Sequence, residues 1–302
     1  MDLYFAGTSA PAMDDFIFKH NYNRLLSYVN DKKNIRNYIE LRKQGWKGNL
    51  IVDSGAFTAW TKGKQIDPDV YCNWINEVEP YVTYFGQLDV IPLPGCSSKK
   101  AKECAEATWN NYLYMINHVN CPSKLMYTYH VGEPEEILIT ALKWGSEHKE
   151  IMKTIAVGGM VRKSKQTRDF TLKKVFNLVD KYYKGVGVHL FGCTSVDYFR
   201  EFPATSADSS GAIQMGAVGN VATPYGTFTF GKKIDKAHYD IQPEIIQQKL
   251  TEYFSQIPLT IEELKETAAN RIVANMYNFW ESFQYHKKER ENDTKIKSSL
   301  LF

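Results

Sequence analysis

Three aspartates in this chain each close a short, largely apolar run. Asp53 follows Leu50-Ile51-Val52, Asp89 follows residues 84–88, and Asp208 follows residues 204–207. A carboxylate placed where the backbone leaves a sheet can attack as a nucleophile, carry a proton as acid and base, ligate a metal, or cap the next helix. His130 ends the run 124–129 in the same way, Gly158-Gly159 ends 154–157, and Gly192 follows 186–191. For one aspartate, capping is as good a reading as chemistry. Three of them, with a histidine and a Gly-Gly turn, point to one shared site.

Such a site needs elements that bring distant residues together. Apolar runs that alternate with helical periodicity and carry their polar groups at their C-terminal ends describe an α/β protein, a single-domain TIM (β/α)8 barrel. Length agrees: 302 residues, 43% hydrophobic, bury one large core. The first strand is expected at 3–6 and the eighth at 226–230, with an irregular segment at 8–31 that includes a short helix near 23–29. Asp67-Pro68 starts a helix, as cap and first helical residue. Apolar positions Ala101, Ala105, Trp109, Tyr112, Ile116 and Val119 keep helical spacing, Glu133-Pro134 opens another helix, and a further one spans about 169–183. Thr194 is placed as the cap of a short helix, and Thr260 with Glu263 as a capping box for a long final one. The barrel is assigned to 1–286, and 287–302 to a polar, disordered tail.

Composition narrows the function. Five cysteines, odd in number and without a CxxC pair, suit reduced thiols in the cytoplasm rather than disulfides or a zinc knuckle. The N-terminus is too short in apolar residues and too acidic for a signal peptide, and no run reaches membrane-spanning length. The net charge of +3 matters less than its placement. Lys62 and Lys64, Lys99 and Lys100, and Arg162, Lys163, Lys165 and Arg168 fall in loops after strand ends. They read as a phosphate-binding rim around an acidic pocket, against the plainer reading of solvated surface. His118 and His189 are assigned structural roles.

Asp53-Ser54-Gly55-Ala56-Phe57 resembles the Asp-Ser-Gly-Gly-Phe motif of tRNA-guanine transglycosylases. In the same order, residues 156–160 resemble that family's Gly-Gly-Leu turn, Leu190-Phe191-Gly192 its Leu-Met-Gly segment, and Ala207-Asp208 its Phe-Asp nucleophile. The likeness spans roughly residues 49–210 and implies a TIM barrel that swaps guanine for a 7-deazaguanine in a polynucleotide. By this resemblance Asp208 is the nucleophile on the sugar C1′, Asp53 the general acid and base, and Asp89 the acceptor for the guanine edge. Ser54, Gly158, Gly159 and His130 would hold the rest of the base, with Phe57 and Phe191 stacking on its faces.

The departures are specific. Ala56 replaces a motif glycine, Thr58 a glutamine, and His130 a base-reading glutamine. No cysteine follows Cys193, so the family's zinc-binding subdomain is not expected. Its basic segment after the nucleophile is also absent. These losses resemble the compact DNA 7-deazaguanine transglycosylases (DpdA-like). They imply DNA rather than tRNA as partner, a free 7-deazaguanine base as second substrate, and no metal or cofactor. Acting on tRNA, a metal-dependent hydrolase on the same three aspartates, and a non-catalytic nucleic-acid binding module are the alternatives.

Overall fold

Parallel strands covered on both faces need unbroken apolar runs, because neither face meets water. Eight parallel strands, most of them largely apolar, close into a barrel in sequence order: β1 Asp2–Phe5, β2 Asn23–Ser27, β3 Leu50–Asp53, β4 Tyr84–Gly86, β5 Leu125–His130, β6 Thr154–Gly158, β7 Gly187–Leu190 and β8 Ser206–Ser209. The computed structural model describes residues 2–7, 11–61, 65–92, 95–161, 163–193, 196–257 and 259–299. Every residue of β5 and β6 is buried. The register levels the strand ends: Ser27 lies beside Asp53, and His130 beside Gly158. Side chains at the C-terminal ends of these strands therefore share one mouth, as in other (β/α)8 barrels.

Helices alternate with the strands along the chain and start where their caps predict. Asp67 accepts from the N–H groups of Asp69 and Val70 and starts Pro68–Val78. Ser97 starts Ser98–Ile116, and Ser164 starts Lys165–Tyr182. The helix Glu135–Glu147 begins just after Glu133-Pro134. Thr194 lies outside the described residues.

The structure keeps eight barrel strands but reassigns them at two places. The segment expected to be irregular holds a helix, Pro11–His20, and the strand β2. Its polar start hid it. Buried Asn23 donates to the Leu3 carbonyl at 3.1 Å and accepts from the Asn49 N–H at 2.8 Å, while buried Arg24 lies over the Tyr38 ring. Conversely, Gly226–Thr229 is not a barrel strand. It pairs antiparallel with Asn220–Thr223 as a separate hairpin.

The chain forms two compact units, one of residues 1–4 and 22–208, the other of 5–21 and 209–302. The second has its own core, in which Val221, Phe228, Phe230, Leu250, Phe254 and Leu264 pack together. It contains no cysteine, and among its described residues no three His, Cys, Asp or Glu side chains group as a metal site. Thr260 and Glu263 form the expected capping box, but that helix, Ile261–Glu266, stops at Thr267 and a second runs Ala268–Ser299. The segment after 286, expected as a disordered tail, continues this helix; its Lys, Arg and Glu residues are good helix formers. No helix among the described residues is long and apolar enough to cross a membrane.

Candidate active site

Asp53 is the last residue of β3, and its carboxylate turns back to accept the Gly55 N–H at 3.0 Å. That turn requires Gly55, whose φ of +72° lies in the left-handed region. Ser54 is fully buried, and its hydroxyl donates to Asp89 at 3.5 Å, a long contact. Asp89 sits three residues beyond β4, on a loop that the Ser98–Ile116 helix fixes from behind. Thr108 Oγ1 accepts the Val90 N–H at 2.8 Å, and Asn111 donates to the Leu88 carbonyl at 2.9 Å.

These carboxylates feel one another. Burial, and then the charges of Asp89 and Asp208, push the Asp53 carboxyl from 3.8 up to about 7, against opposing hydrogen bonds from the Gly55 and Ser54 backbone. At neutral pH Asp53 is therefore poised to hold or release a proton. Glycine at position 86 is what lets β4 lie against it: a Cβ there would stand 2.9 Å from Asp53 Oδ1.

Asp208 is buried on β8 and is oriented from β7. Its Oδ1 accepts the Gly192 N–H at 2.9 Å and faces His189 Nε2 at 3.3 Å. The other ring nitrogen of His189 is paired with Ser206 Oγ at 2.8 Å, which fixes the imidazole plane. Phe191 meets the same ring edge-on, with centroids 4.7 Å apart. Phe191 is thus seated beside the nucleophile candidate and is partly exposed.

His130 ends β5 between two carboxylates. Nε2 is 2.8 Å from Asp89 Oδ2, and Nδ1 is 2.8 Å from Glu133 Oε1. Burial by itself lowers the basicity of this imidazole, but the hydrogen bonds to Asp89 and Glu133 outweigh it and hold the pKa up at about 10. Both ring nitrogens are engaged within the protein, which disfavours His130 as a direct reader of a base. Gly158 has no room for a side chain, since a Cβ would lie 2.9 Å from His130 Cδ2. Gly159 takes a φ of +74° at the turn beyond it.

The expected residues Asp53, Ser54, Asp89, His130, Gly158, Gly159, Phe191 and Asp208 all lie at the C-terminal ends of neighbouring strands or on the loops directly after them. Phe57 is in the first turn of the helix Ala56–Thr61, its side chain outside the described residues, as are Lys62, Lys64 and Arg162. The rest of the basic rim is mixed. Lys99 and Lys163 are exposed, whereas Lys100 pairs with Glu103 and Lys165 with Asp169. Arg168 lies over the Tyr198 ring, and Lys99 and Lys100 in Ser98–Ile116, like Lys165 and Arg168 in Lys165–Tyr182, belong to helices rather than the expected loops.

Sequence reasoning missed Glu133 and His189. Glu133 reads as a helix opener, and only the His-x-x-Glu spacing across a tight turn signals its pairing with His130. His189 sits two residues before Phe191 on a buried strand, where a structural histidine is the ordinary reading; its Asp208 partner comes from another strand. His118 keeps its structural role, bonded to the Tyr114 carbonyl at 2.7 Å. Among the described residues no three His, Cys, Asp or Glu side chains group as a metal site. No family model matches the chain, and no curated protein matches it in sequence.

Proposed function

We propose that this site exchanges guanine for a 7-deazaguanine in nucleic acid, DNA in preference to tRNA, through a covalent glycosyl–aspartate. The observation that carries the reading is the unlike settings of two carboxylates at one barrel mouth. Asp53 is pushed up to about 7 and can deliver a proton near neutrality. Asp208 is held by its Oδ1 on the Gly192 N–H and His189. Paired carboxylates with separate roles are what a double displacement at a sugar carbon requires.

In the first half, an Asp208 oxygen bonds to C1′ as the C1′–N9 bond breaks, and Asp53 gives its proton to the departing guanine. In the second, the incoming 7-deazaguanine loses its N9 proton to Asp53, its N9 bonds to C1′, and the Asp208 ester bond breaks. Asp53 ends as it began, and no external acid or base is consumed. A pKa near the working pH suits a group that must both give and take a proton. Asp89 presents acceptors to the N1–H and 2-amino donors of a guanine edge, and Phe191 offers an apolar ring beside the reacting carbon.

The preference for DNA rests on what the resembling tRNA enzymes have and this chain lacks. No cysteine follows Cys193 to build a zinc subdomain, and exposed Lys99 and Lys163 suit contact with a phosphate backbone that does not read RNA shape. The test is a denaturing gel of protein with DNA or tRNA and a competing base. Wild type should give a shifted protein band with DNA that Asp208→Ala lacks, and nucleoside mass spectrometry should find the 7-deazaguanine in DNA. An equal band in the variant removes Asp208 from the role; modified nucleoside from tRNA alone reverses the choice of polymer.

A further inference from the structure

The proposed chemistry uses Asp53, Asp89 and Asp208 but leaves unexplained a costly feature behind them. The Glu133 side chain is 0% exposed and His130 4%, deeper than any surface capping role needs. Glu133 is clamped from several sides. Its Oε1 faces His130 Nδ1 at 2.8 Å, its Oε2 accepts the His130 N–H at 3.0 Å, and its own N–H donates to the His130 carbonyl at 3.1 Å. Tyr129 OH donates to the Glu133 carbonyl at 2.7 Å, closing the turn. A buried carboxylate is tolerated only when it is paired and fully hydrogen-bonded, so this turn is built around the imidazole.

The imidazole in turn points at Asp89, 2.8 Å from Oδ2. With carboxylates on both ring nitrogens, each nitrogen donates, which makes the ring an imidazolium. Its ionisable surroundings are otherwise acidic: Tyr127, Tyr129 and Cys104 face Glu133, while Asp53 and Tyr71 face Asp89. The His130 donor takes one lone pair of Asp89 Oδ2 and fixes the plane of the carboxylate, leaving its other lone pairs as acceptors for a ligand.

We propose that Glu133 and His130 are positioning residues, a relay that locks Asp89 as the acceptor by which the pocket selects bases carrying adjacent ring N–H and exocyclic amino donors. The proposal rests on the base-exchange reading for the identity of the ligand, and on geometry alone for the relay. A base without the 2-amino group leaves an Asp89 acceptor unmatched, and the locked carboxylate cannot turn to compensate.

The relay and the selection are tested separately on the full chain. Ring-15N-histidine NMR of the wild type should show His130 with both nitrogens protonated at about pH 8, above the ordinary histidine range. A neutral ring there overturns the relay. Titration with 7-deazaguanine and with 7-deazahypoxanthine, which lacks the 2-amino group, measures selection. Glu133→Gln should reduce the ratio of the two affinities by about tenfold. His130→Gln, which retains an N–H donor toward Asp89, should reduce it less. Circular dichroism melting identifies a variant that fails to fold, in which case the wild-type nitrogen shifts still decide the relay. Both affinities falling in parallel, at constant ratio, would mean a merely structural pair and overturn the proposal. Wild type binding neither base would overturn the base-exchange reading and the selection with it, whatever the nitrogen shifts say of the relay.

Discussion

The proton on Asp53 has a consequence that needs no substrate to measure. In the unfolded chain this carboxyl ionises near 3.8, and in the folded protein at about 7. Between those values the native state binds a proton that the unfolded state has released, so stability falls as pH rises through that window. About three pH units, at about 1.4 kcal/mol each, set a ceiling of about 4 kcal/mol on the penalty above neutrality. The side chain is partly exposed, and solvent screening reduces this to about 2 kcal/mol.

Asp53→Asn keeps the shape and an acceptor for the Gly55 N–H while removing the charge. The variant should therefore gain on the wild type as pH rises, the gap widening by about 2 kcal/mol between about pH 4.5 and pH 8.5. His130 is raised from 6.5 to about 10, so its stabilising contribution is complete below 6.5 and is lost as pH rises toward 10. That loss occurs in both proteins and cancels in the comparison. Urea titrations followed by tryptophan fluorescence measure the gap, with Trp74, Trp109 and Trp144 packed against aromatic rings of the barrel unit. A gap that stays constant, or a variant that loses ground at high pH, would refute the reasoning that burial and the neighbouring carboxylates keep Asp53 protonated.

Gly158→Ala forces a methyl to within 2.9 Å of His130 Cδ2 and 3.2 Å of Nε2, which displaces the ring from Asp89. It should destabilise the protein by about 1–3 kcal/mol in urea titrations and lower 7-deazaguanine affinity in parallel. Asp89→Asn places an amide where acceptors are needed and should reduce base exchange by about tenfold or more, chiefly through KM; an unchanged KM would place Asp89 outside the pocket. The same variant removes the largest neighbouring charge acting on Asp53, so the pH at which activity titrates near 7 should move to acid.

Local pattern alone made part of the fold and site legible in the sequence. Leu50-Ile51-Val52 before Asp53 announces a buried strand with a polar end, and Asp67-Pro68 and Thr260 with Glu263 announce helix starts that the structure bears out. The barrel itself comes from the alternation of such elements. Failures occurred where a tertiary partner changes the meaning of a residue. Asn23 and Arg24 make β2 look like a loop, because the groups that satisfy them, Leu3, Asn49 and Tyr38, are remote in sequence. Phe228 and Phe230 read as strand residues for the barrel, yet they bury against Leu250 and Phe254 in the other unit. Glu133 and His189 were missed for the same reason: their roles are set by His130 across a turn and by Asp208 across a sheet.

The charges at the barrel mouth are linked in a way that separates the duties of its aspartates. Asp89 and Glu133 together hold His130 as a cation, and His130 in turn orients the Asp89 carboxylate as an acceptor. The charge of Asp89 is in turn the largest neighbouring influence that raises Asp53. Under the proposed chemistry the group that recognises the base thus also sets the acidity of the group that protonates it. A base that donates two N–H bonds to Asp89 draws off part of that negative field, and Asp53 becomes a stronger acid as the base seats. The proton then moves most readily when the ligand is one that Asp89 accepts. Selection and proton transfer are coupled by electrostatics across β4, where the absence of a side chain on Gly86 keeps that strand close against the Asp53 carboxylate.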